Sequence, residues 1–204
     1  MPTGVPMGDA RQRLFDAADR LLLQGGPSAL TSRAVTDEAG TAKGVLHRHF
    51  ADFDDFLAEF VLDRAHRMDE RAAALRESAG GGTVVDNLTE TLSALFGSVA
   101  VGIVALVTFR DGLRSRLRET WPAGVPVLTD AVEMIADYLA AERELGRLAP
   151  DAVPEGLAPM LVGTAHLLFA DRTGAPPTRE ALRNAVASVV GGAMAERPQA
   201  SGNS

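Results

Sequence analysis

The chain has 204 residues, a hydrophobic share of 46% and a formal net charge of −7. This length allows one large domain or two smaller ones, and the apolar share is sufficient for a hydrophobic core. The acidic balance argues against nonspecific coating of nucleic acid, and the absence of cysteine excludes disulfides and thiolate metal sites. Because the first residues lack the charged-then-apolar pattern of an export signal, we expect a cytoplasmic protein.

Alanine and arginine are common and β-branched residues do not alternate with polar ones, so the composition favours helices over strands. We predict an all-α fold of about nine helices between two flexible tails, residues 1–8 and 196–204, which are rich in Gly, Pro and Ser. In chain order, the predicted helices span residues 9–23, 32–39, 42–48, 52 to about 75, 84–108, 110–120, 127–144, 155–171 and 178–194.

Local signals mark several ends of these helices. Leu14, Ala18 and Leu22 form an apolar stripe in the first helix, and the Gly-Gly-Pro that starts at Gly25 ends it. Thr31 is the predicted N-cap of the second helix, and Asp52 is that of the fourth.

One apolar segment, residues 92–109, has 18 residues without a charge and reaches the lower limit of a membrane-spanning helix. Gly97, Gly102 and Thr108 dilute its hydrophobicity, and the sequence offers no second candidate. We therefore interpret the run as the buried central helix of a helical bundle. Pro159 lies within the eighth predicted helix, so that helix begins later or is kinked there.

One short segment differs from the acidic remainder of the chain. Residues 39–51 read AGTAKGVLHRHFA, contain the chain's only lysine, Lys43, and hold no acidic residue. The two short helices joined through Gly40 have the tight glycine turn of a helix-turn-helix. Leu46 and Phe50, four residues apart, would pin the third helix to the core. The spacing therefore predicts a recognition helix whose outer face enters the major groove of DNA.

Candidate DNA contacts follow from this arrangement. The turn and the recognition helix supply the predicted groove contacts: Thr41, Ala42, Lys43, Gly44, Val45, His47 and Arg48. Thr31 and Arg33 lie at the N-terminus of the second helix, a position suited to phosphate contact.

Residues 10–57 resemble the DNA-binding domain of the tetracycline-repressor (TetR) family. The family pattern is T-x-R-x-I-A-x-x-A-G-V-S-K-G-T-L-Y-x-H-F, and the chain matches it at nine positions: Thr31, Arg33, Ala39, Gly40, Lys43, Gly44, Leu46, His49 and Phe50. The resemblance implies a three-helix head, residues 9–51, that binds DNA. It also implies a larger helical body, residues 52–195, for ligand binding and dimerisation.

Four of the departures from the family bear on DNA binding. Ala42 replaces the usual Ser, which weakens the cap of the recognition helix, although Thr41 can substitute one residue earlier. Val45 replaces Thr and can touch a thymine methyl but cannot hydrogen-bond a base. His47 replaces Tyr, and Phe53 replaces a Lys that opens the fourth helix. These changes predict an unusual operator or a reduced affinity for DNA.

The resemblance implies a ligand-responsive transcriptional regulator, most often a repressor that a small molecule releases from a palindromic operator. It also implies a homodimer whose last two helices form a four-helix bundle with those of the partner. Two recognition helices would then read half-sites of double-stranded DNA about 34–36 Å apart. The apolar body predicts a hydrophobic or aromatic effector and no other cofactor.

Apolar and aromatic residues of the body are the candidate ligand contacts. They are Phe96, Val107, Phe109, Trp121, Met134, Tyr138, Met160 and His166. Each also has the ordinary interpretation of a core residue, and His166 lies among Leu167, Leu168 and Phe169 as a core histidine would.

Other clusters of polar residues in the sequence have simpler interpretations. His47 and His49 are two residues apart on a helix and point in different directions, so we expect no metal site there. The sequence has no nucleophile motif, phosphate loop or paired-carboxylate signature, so we expect no enzymatic activity. A third cluster is the run of arginines at positions 110, 114, 116 and 118. It is interpreted as a solvated helix face, with an open alternative in which these arginines couple the ligand pocket to the DNA-binding head.

An alternative function also stays open at this point. A helical ligand-binding or interaction protein that has lost DNA binding would fit the same helices. Phe53 and His47 are the features that motivate this alternative.

Overall fold

The computed structural model of the chain describes residues 7–122, 124–170 and 175–195. Within them it contains two short 3₁₀ turns, residues 27–29 and 191–193, and eleven α-helices: α1 Met7–Gly25, α2 Ser32–Glu38, α3 Val45–His49, α4 Phe53–His66, α5 Met68–Glu77, α6 Val84–Phe96, α7 Ala100–Phe109, α8 Asp111–Thr120, α9 Leu128–Glu144, α10 Pro154–Ala170 and α11 Arg179–Val190. The all-α prediction is confirmed, because the only β-pairing in these residues is an isolated bridge between Leu148 and Met194. Residues 1–6 and 196–204, most of the predicted tails, lie outside the described residues.

Two long predicted helices are each divided in the structure. The run predicted from residue 52 to about 75 breaks at Arg67, and the run predicted from 84 to 108 breaks at residues 97–99. Gly97 and Ser98 are weak helix formers, which accounts for the second break. No described helix is by itself long and apolar enough to cross a membrane, and α6 and α7 reach that length only when the two are counted together across their bend.

The chain forms two compact units, which are described separately. The first contains residues up to Met68 together with Gly97–Asp130, and the second contains Asp69–Phe96 together with the residues from Ala131 onward. The first unit therefore holds α1 to α4 and also α7 and α8. The division of the chain at residues 51 and 52 into functional domains stays a prediction.

The core of the first unit forms where the apolar stripe of α1 meets α2, α3 and α7. Leu14, Ala18 and Leu22 of that stripe are buried, as their helical spacing predicts. Gly102 of α7 permits a close approach, because a Cβ atom there would lie 2.6 Å from Cγ of Leu22. A side chain at residue 102 would therefore push α7 away from α1.

The second unit packs α6 and α10 against α11 and includes most of α9. The apolar faces of these helices are buried, including Leu92, Leu161 and Val186. Pro154 occupies the first position of α10, where a proline costs no hydrogen bond. The helix continues past Pro159 to Ala170, so the later start allowed by the sequence does not occur.

The triple-glycine segment at residues 80–82 is held by the buried carboxylate of Glu142 and by the partly exposed Arg147. Glu142 is fully buried, and its two carboxylate oxygens each accept from the backbone N–H of Gly80 at 3.4 Å. Arg147 lies 3.3 Å from the same carboxylate and donates to the carbonyl oxygen of Gly82 at 2.7 Å. Gly80 has a φ of +81°, a backbone conformation that favours glycine. The segment is thus an ordered turn, and the carboxylate of Glu142 in α9 holds it in place.

The hydroxyl of Tyr138 extends this network. It accepts a hydrogen bond from the side-chain amide of Asn87 at 3.0 Å. Burial, with a smaller effect of the hydrogen bond to Glu142, raises the pKa of Tyr138 well above its ordinary value, so the phenol stays protonated. Polar groups of α6 and α9 are therefore joined through hydrogen bonds inside the second unit.

Removal of the buried carboxylate is expected to destabilise the second unit. Glu142→Ala removes the acceptor of the Gly80 N–H and the carboxylate partner of Arg147, although Arg147 keeps the carbonyl oxygen of Gly82. Leaving a buried donor unsatisfied costs about 1–3 kcal/mol. Urea unfolding followed by circular dichroism measures this loss. Glu144→Ala, on the exposed side of the same helix, is the matched control and should change the midpoint little. Equal midpoints for the two variants would contradict a structural role for Glu142.

Candidate nucleic-acid interface

The second helix begins with the cap that its sequence predicts. The hydroxyl of Thr31 accepts a hydrogen bond from the backbone N–H of Ala34 at 3.1 Å. Arg33 follows on the exposed side of α2 and lies 3.5 Å from Asp37 in an i, i+4 pair. Such an exposed pair contributes little stability, so Arg33 remains available to a stronger anion.

The turn between α2 and α3 is fixed to the end of α2. Gly40 has a φ of +62°, which explains the glycine at this position. Both the backbone N–H and the hydroxyl of Thr41 donate to the carbonyl oxygen of Thr36, at 2.9 and 3.3 Å. The hydroxyl of Thr41 is therefore used at α2, and the prediction that it caps the recognition helix is wrong.

The recognition helix is shorter than predicted. It begins at Val45 rather than at residue 42, and Gly44 precedes it without a side-chain cap. With alanine at residue 42 no hydroxyl is present to cap an earlier start, and residues 42–45 form a hydrogen-bonded turn instead. Lys43 consequently lies in the turn, immediately before the helix.

The two faces of this segment are clearly separated. Leu46 is fully buried and Phe50 nearly so, which confirms the predicted inner face. The outer positions Ala42, Lys43, Gly44, His47 and Arg48 are exposed, and Val45 is half-buried. The structure thus brings the predicted groove contacts onto one exposed surface, which we call the recognition surface (residues 42–45, 47 and 48).

A cluster of phenylalanines fixes the orientation of the recognition surface. The ring of Phe50 lies 6.0 Å from that of Phe15 in α1 and meets Phe56 of α4 edge-on at 5.1 Å. Phe60 lies 6.0 Å from Phe15 and completes the cluster. The guanidinium of Arg11 covers Phe50 at 4.8 Å. Because α3 ends at this cluster, its outer face has a fixed direction relative to α1 and α4.

The charges around the recognition surface are unevenly distributed. Among the described residues, no acidic partner lies within ion-pair distance of Lys43 or Arg48. The acidic residues that open α4 are instead paired with α8, where Asp54 contacts Arg110 and Asp52 contacts Arg116. The two cations of the recognition surface thus remain available for an external anion.

Asp52 and Asp55 also shape the start of α4. The carboxylate of Asp52 accepts from the backbone N–H of Asp55 at 2.9 Å, and Asp55 accepts in return from the N–H of Ala51 at 2.8 Å. This reciprocal cap ends the segment that follows the recognition helix and confirms Asp52 as the predicted N-cap.

Phe53 has a packing role that its sequence position did not reveal. Its ring stacks on Phe56 at 5.6 Å, and the guanidinium of Arg110 lies 5.2 Å above it. The residue that replaces the family's lysine therefore supports the aromatic cluster and receives a cation from α8.

The four arginines of the predicted run, at positions 110, 114, 116 and 118, do not all lie on a solvent-exposed face of α8. Arg110 and Arg116 make ion pairs with α4, and Arg116 also lies 3.7 Å from Asp55. Arg114 donates to the carbonyl oxygens at the end of α7. Of the four, only Arg118 matches the solvated interpretation, which is wrong for the other three. The sequence feature that favours ion pairs with these arginines is the group of aspartates at positions 52, 54 and 55, at the start of α4.

The predicted ligand residues are distributed over both units. Val107, Phe109 and Trp121 belong to the first, whereas Phe96, Met134, Tyr138, Met160 and His166 belong to the second. The structure brings Val107 and Trp121 together on one cavity of the first unit. Phe109, at the end of α7, is 85% exposed and does not line this cavity. Met134 and Tyr138 are buried in the core, and Met160 is exposed on α10.

His166 lies beside Phe96 in the second unit. The two ring centroids are 5.9 Å apart, and Nδ1 of His166 is buried without a hydrogen-bond partner among the described residues. Burial lowers the pKa of His166 below its ordinary value of 6.5. No group of three or more metal-ligating side chains with suitable geometry occurs in the described part of the chain.

Residues 14–60 match the family model described as bacterial regulatory proteins of the tetR family. Solved structures with a similar fold include E. coli NemR in its reduced form, which is 18% identical in sequence and has a TM-score of 0.72. The match covers 93% of this chain and 100% of the NemR chain. A TetR-family transcriptional regulator from Agrobacterium tumefaciens matches at 13% identity, 93% and 100% coverage and a TM-score of 0.70. SmeT, described as the repressor of the Stenotrophomonas maltophilia multidrug efflux pump SmeDEF, matches at 18% identity, 96% coverage of each chain and a TM-score of 0.59. Among the curated proteins none matches the chain.

The burial of His166 predicts a specific dependence of stability on pH. Because the pKa is lower in the folded state, the unfolded chain binds more protons at this residue once the pH falls below 6.5. The contribution of His166 to stability is therefore present above pH 6.5 and is lost as the pH falls from 6.5 toward the folded pKa. Urea midpoints measured one unit above and one unit below 6.5 should differ less in His166→Leu than in the wild type. His66→Leu, at an exposed histidine, should retain the wild-type difference, and an identical pH response in all three proteins would refute the assignment.

Proposed function

We propose that the chain is a transcriptional regulator of the TetR family, whose family model matches residues 14–60, and that its recognition surface reads an operator in double-stranded DNA. The observation that carries this proposal is the exposed pair Lys43 and Arg48, without acidic partners among the described residues. Lys43 lies in the turn before α3 and Arg48 lies on α3, which Leu46 and Phe50 hold in place.

The chemistry of the recognition surface suits the major groove. Arg48 and Lys43 can donate to guanine O6 and N7 or to phosphate, and His47 can donate one hydrogen bond. Val45 offers a methyl contact to thymine in place of a hydrogen bond. Thr31 and Arg33, exposed at the start of α2, would contact the phosphates on one side of the groove. Because the proposed operator is DNA in the cytoplasm, we expect the protein to act there.

A homodimer would supply two such surfaces. The exposed face of α10 carries Met160, Gly163 and Leu167, and the two large side chains are 57% and 75% exposed. No charged residue occurs from Gly156 to Ala170, so this face is apolar along its whole length. Exposed small residues of α11, such as Ala181 and Ser188, allow a second helix to approach closely. These features support a four-helix interface with a second copy, with recognition helices about 34–36 Å apart on DNA.

The proposed output is repression that a small molecule relieves. The resemblance to SmeT, described as a repressor, favours repression over activation. Ligand-induced release requires that the ligand bind more tightly to a state in which the heads no longer match the operator. Helix α8 is the proposed connection, because Arg110 and Arg116 at its start and middle hold the first turn of α4 next to the recognition helix.

Loss of the two cations is expected to abolish specific DNA binding. Lys43→Ala combined with Arg48→Ala removes the positive charge of the recognition surface without touching Leu46 or Phe50. In a gel shift with DNA from upstream of the protein's own gene, the wild type should bind and the double variant should not. The slope of log affinity against log salt should become less steep by about one for each lost phosphate contact.

Arg76→Ala provides the control for general loss of charge, because Arg76 is exposed in the second unit. It should bind the same DNA as tightly as the wild type. If the wild-type protein gives no shift even at low salt, the chain is a helical binding protein without DNA function and the proposal fails.

A charge on the apolar face of α10 is expected to prevent dimerisation. Leu167→Glu would bury a carboxylate in the proposed interface, which is strongly unfavourable. Light scattering should report a dimer for the wild type and a monomer for this variant. Leu145→Glu, which changes an exposed leucine outside the face, should remain dimeric. A wild-type monomer at micromolar concentration would rule out the proposed assembly.

A further inference from the structure

We propose that a cavity in the first unit is the effector site and that it takes a small organic anion with an apolar body. The inference rests on the proposed regulatory function and names the chemical class of its ligand. The cavity lies between the end of α7, the outer half of α8 and the segment that precedes α9, and its volume is about 360 Å³. A cavity of this size accommodates a molecule of roughly ten to fifteen non-hydrogen atoms.

The charge of the cavity wall points to an anion. Arg114 and Arg118 both line the cavity, and none of its lining residues is acidic. This is unusual in a chain with seven excess negative charges. A second cavity, of about 310 Å³ between α5 and α6, is lined by both Arg71 and Glu90, so its charges balance. The two cavities are similar in size, and only the first has an uncompensated positive wall.

The two arginines differ in how they are held. The Nε of Arg114 donates to the carbonyl oxygen of Val107 at 3.3 Å, and its guanidinium also donates to the carbonyl oxygen of Thr108. These bonds fix the guanidinium at the cavity wall. Its carboxylate neighbour, Asp111, lies 3.5 Å away and is almost fully exposed, so this pair is weak. Arg118 is exposed and has no carboxylate partner among the described residues.

A carboxylate placed between these side chains could accept hydrogen bonds from both guanidinium groups. Guanidinium groups bind carboxylates through paired N–H donors, and such bonds are stronger than those between neutral groups. The pre-positioned Arg114 would orient the ligand, and the exposed side chain of Arg118 would bind it at the cost of conformational entropy.

The remainder of the wall is apolar except for Thr108, whose hydroxyl donates to the carbonyl oxygen of Val104 at 2.7 Å. Val107 and Leu117 are buried, and Trp121 is half-buried with Pro126 nearby on the same cavity. This surface would bury an alkyl or aromatic body, whereas a sugar or nucleotide would leave its hydroxyl groups without partners. The two halves of the wall thus select for an amphipathic anion.

The segment that closes the cavity is held in a strained conformation. Val127 is buried and has a φ of +72°, which a β-branched residue rarely adopts. Its N–H donates to the carboxylate of Asp130 at 3.0 Å, and the N–H groups of Leu128 and Thr129 donate to the carbonyl oxygen of Val125. Strain of this kind persists only where the surroundings enforce it and is concentrated at binding sites. Here it positions Pro126 against the cavity.

The same helix connects the cavity to the DNA-binding head. Arg114 and Arg118 are four residues apart and share the face of α8 that lines the cavity. Arg116 lies about 200° away around the helix and contacts Asp52 and Asp55 of α4. A ligand that draws one face of α8 toward itself therefore acts on the ion pairs of the opposite face.

Trp121 makes the site directly observable, because it is the only tryptophan in the chain. Octanoate is a suitable probe, since it has an anionic head, an apolar body and no absorption near that of tryptophan. Titration of the DNA-free protein with octanoate should shift the emission of Trp121 saturably. Octanamide, which has the same body without the charge, should bind at least about tenfold more weakly.

Matched variants locate the binding site. Arg118→Gln, at an exposed position whose loss should leave the fold intact, is expected to weaken octanoate binding by about tenfold or more. Arg71→Gln removes the arginine of the other cavity and should leave the affinity unchanged. The proposal is overturned if octanoate gives no saturable shift at millimolar concentration, if octanamide binds equally well, or if the two variants lose affinity equally.

A second titration tests the connection to DNA. By thermodynamic linkage, a ligand that releases DNA must bind more weakly to the DNA complex than to the free protein. The octanoate affinity of the wild type should therefore fall when upstream DNA is present, and this fall should be smaller in Arg116→Gln, which lacks the ion pairs with Asp52 and Asp55. An unchanged affinity in the presence of bound DNA would show a ligand site without regulatory effect and refute its role as effector site. Because the first titration contains no DNA, a protein that binds octanoate but gives no gel shift would refute the proposed function and leave the ligand class supported.

Discussion

The packing of Phe50 against Phe15 and Phe56 is the contact on which the proposed DNA interface depends. The recognition helix has only five residues, and a helix of that length is not stable in isolation. Its conformation and direction therefore come from the two side chains that it buries, Leu46 within the helix and Phe50 at its end. A cation on a loosely held segment would attract DNA without being aligned with a particular base. A cation on an anchored helix can be placed against a particular base edge.

The placement of acidic residues follows from the same requirement. Three aspartates occur in the first residues of α4, close to the recognition surface in sequence, and they stabilise the positive end of that helix. Left unpaired, they would also reduce the positive potential that attracts DNA. The pairing of Asp52 with Arg116 and of Asp54 with Arg110 neutralises them from α8. Each pair contributes little to stability at such exposure, so its importance lies in charge placement and in joining α8 to α4.

Features that depend on near neighbours in the chain were predictable from sequence. The caps by Thr31 and Asp52 require only a suitable side chain three residues before the N–H that it accepts from, and both occur as predicted. The buried pair Leu46 and Phe50 follows from helical spacing. The break of the fourth predicted helix at Arg67 had no such signal, because that position holds neither glycine nor proline.

Features that depend on residues distant in sequence were not predictable in this way. Thr41 had a choice of hydrogen-bond acceptors, and only the folded turn shows that it uses the carbonyl oxygen of Thr36. The role of Phe53 depends on Arg110, which comes from another helix. Of the residues selected by apolar character, Val107 and Trp121 line the proposed effector cavity, but Arg114 and Arg118 of the same cavity were not selected. Charged side chains on a helix are usually solvated, so their position at a cavity wall emerges only from the packing of α7 and α8.

A basic helix can serve two sites because its residues leave it in different directions. Arg114 and Arg118 occupy one stripe of α8, and Arg116 occupies the opposite one. Arg110 would share the stripe of Arg114 if the helix began earlier, but its backbone is extended, with φ and ψ of −122° and 96°. It therefore turns away from the cavity and reaches Asp54 and Phe53. The start of α8 at Asp111 thus determines which arginines line the proposed effector cavity and which contact α4, and a shift of that start by one turn would place Arg110 at the cavity and leave Asp54 unpaired.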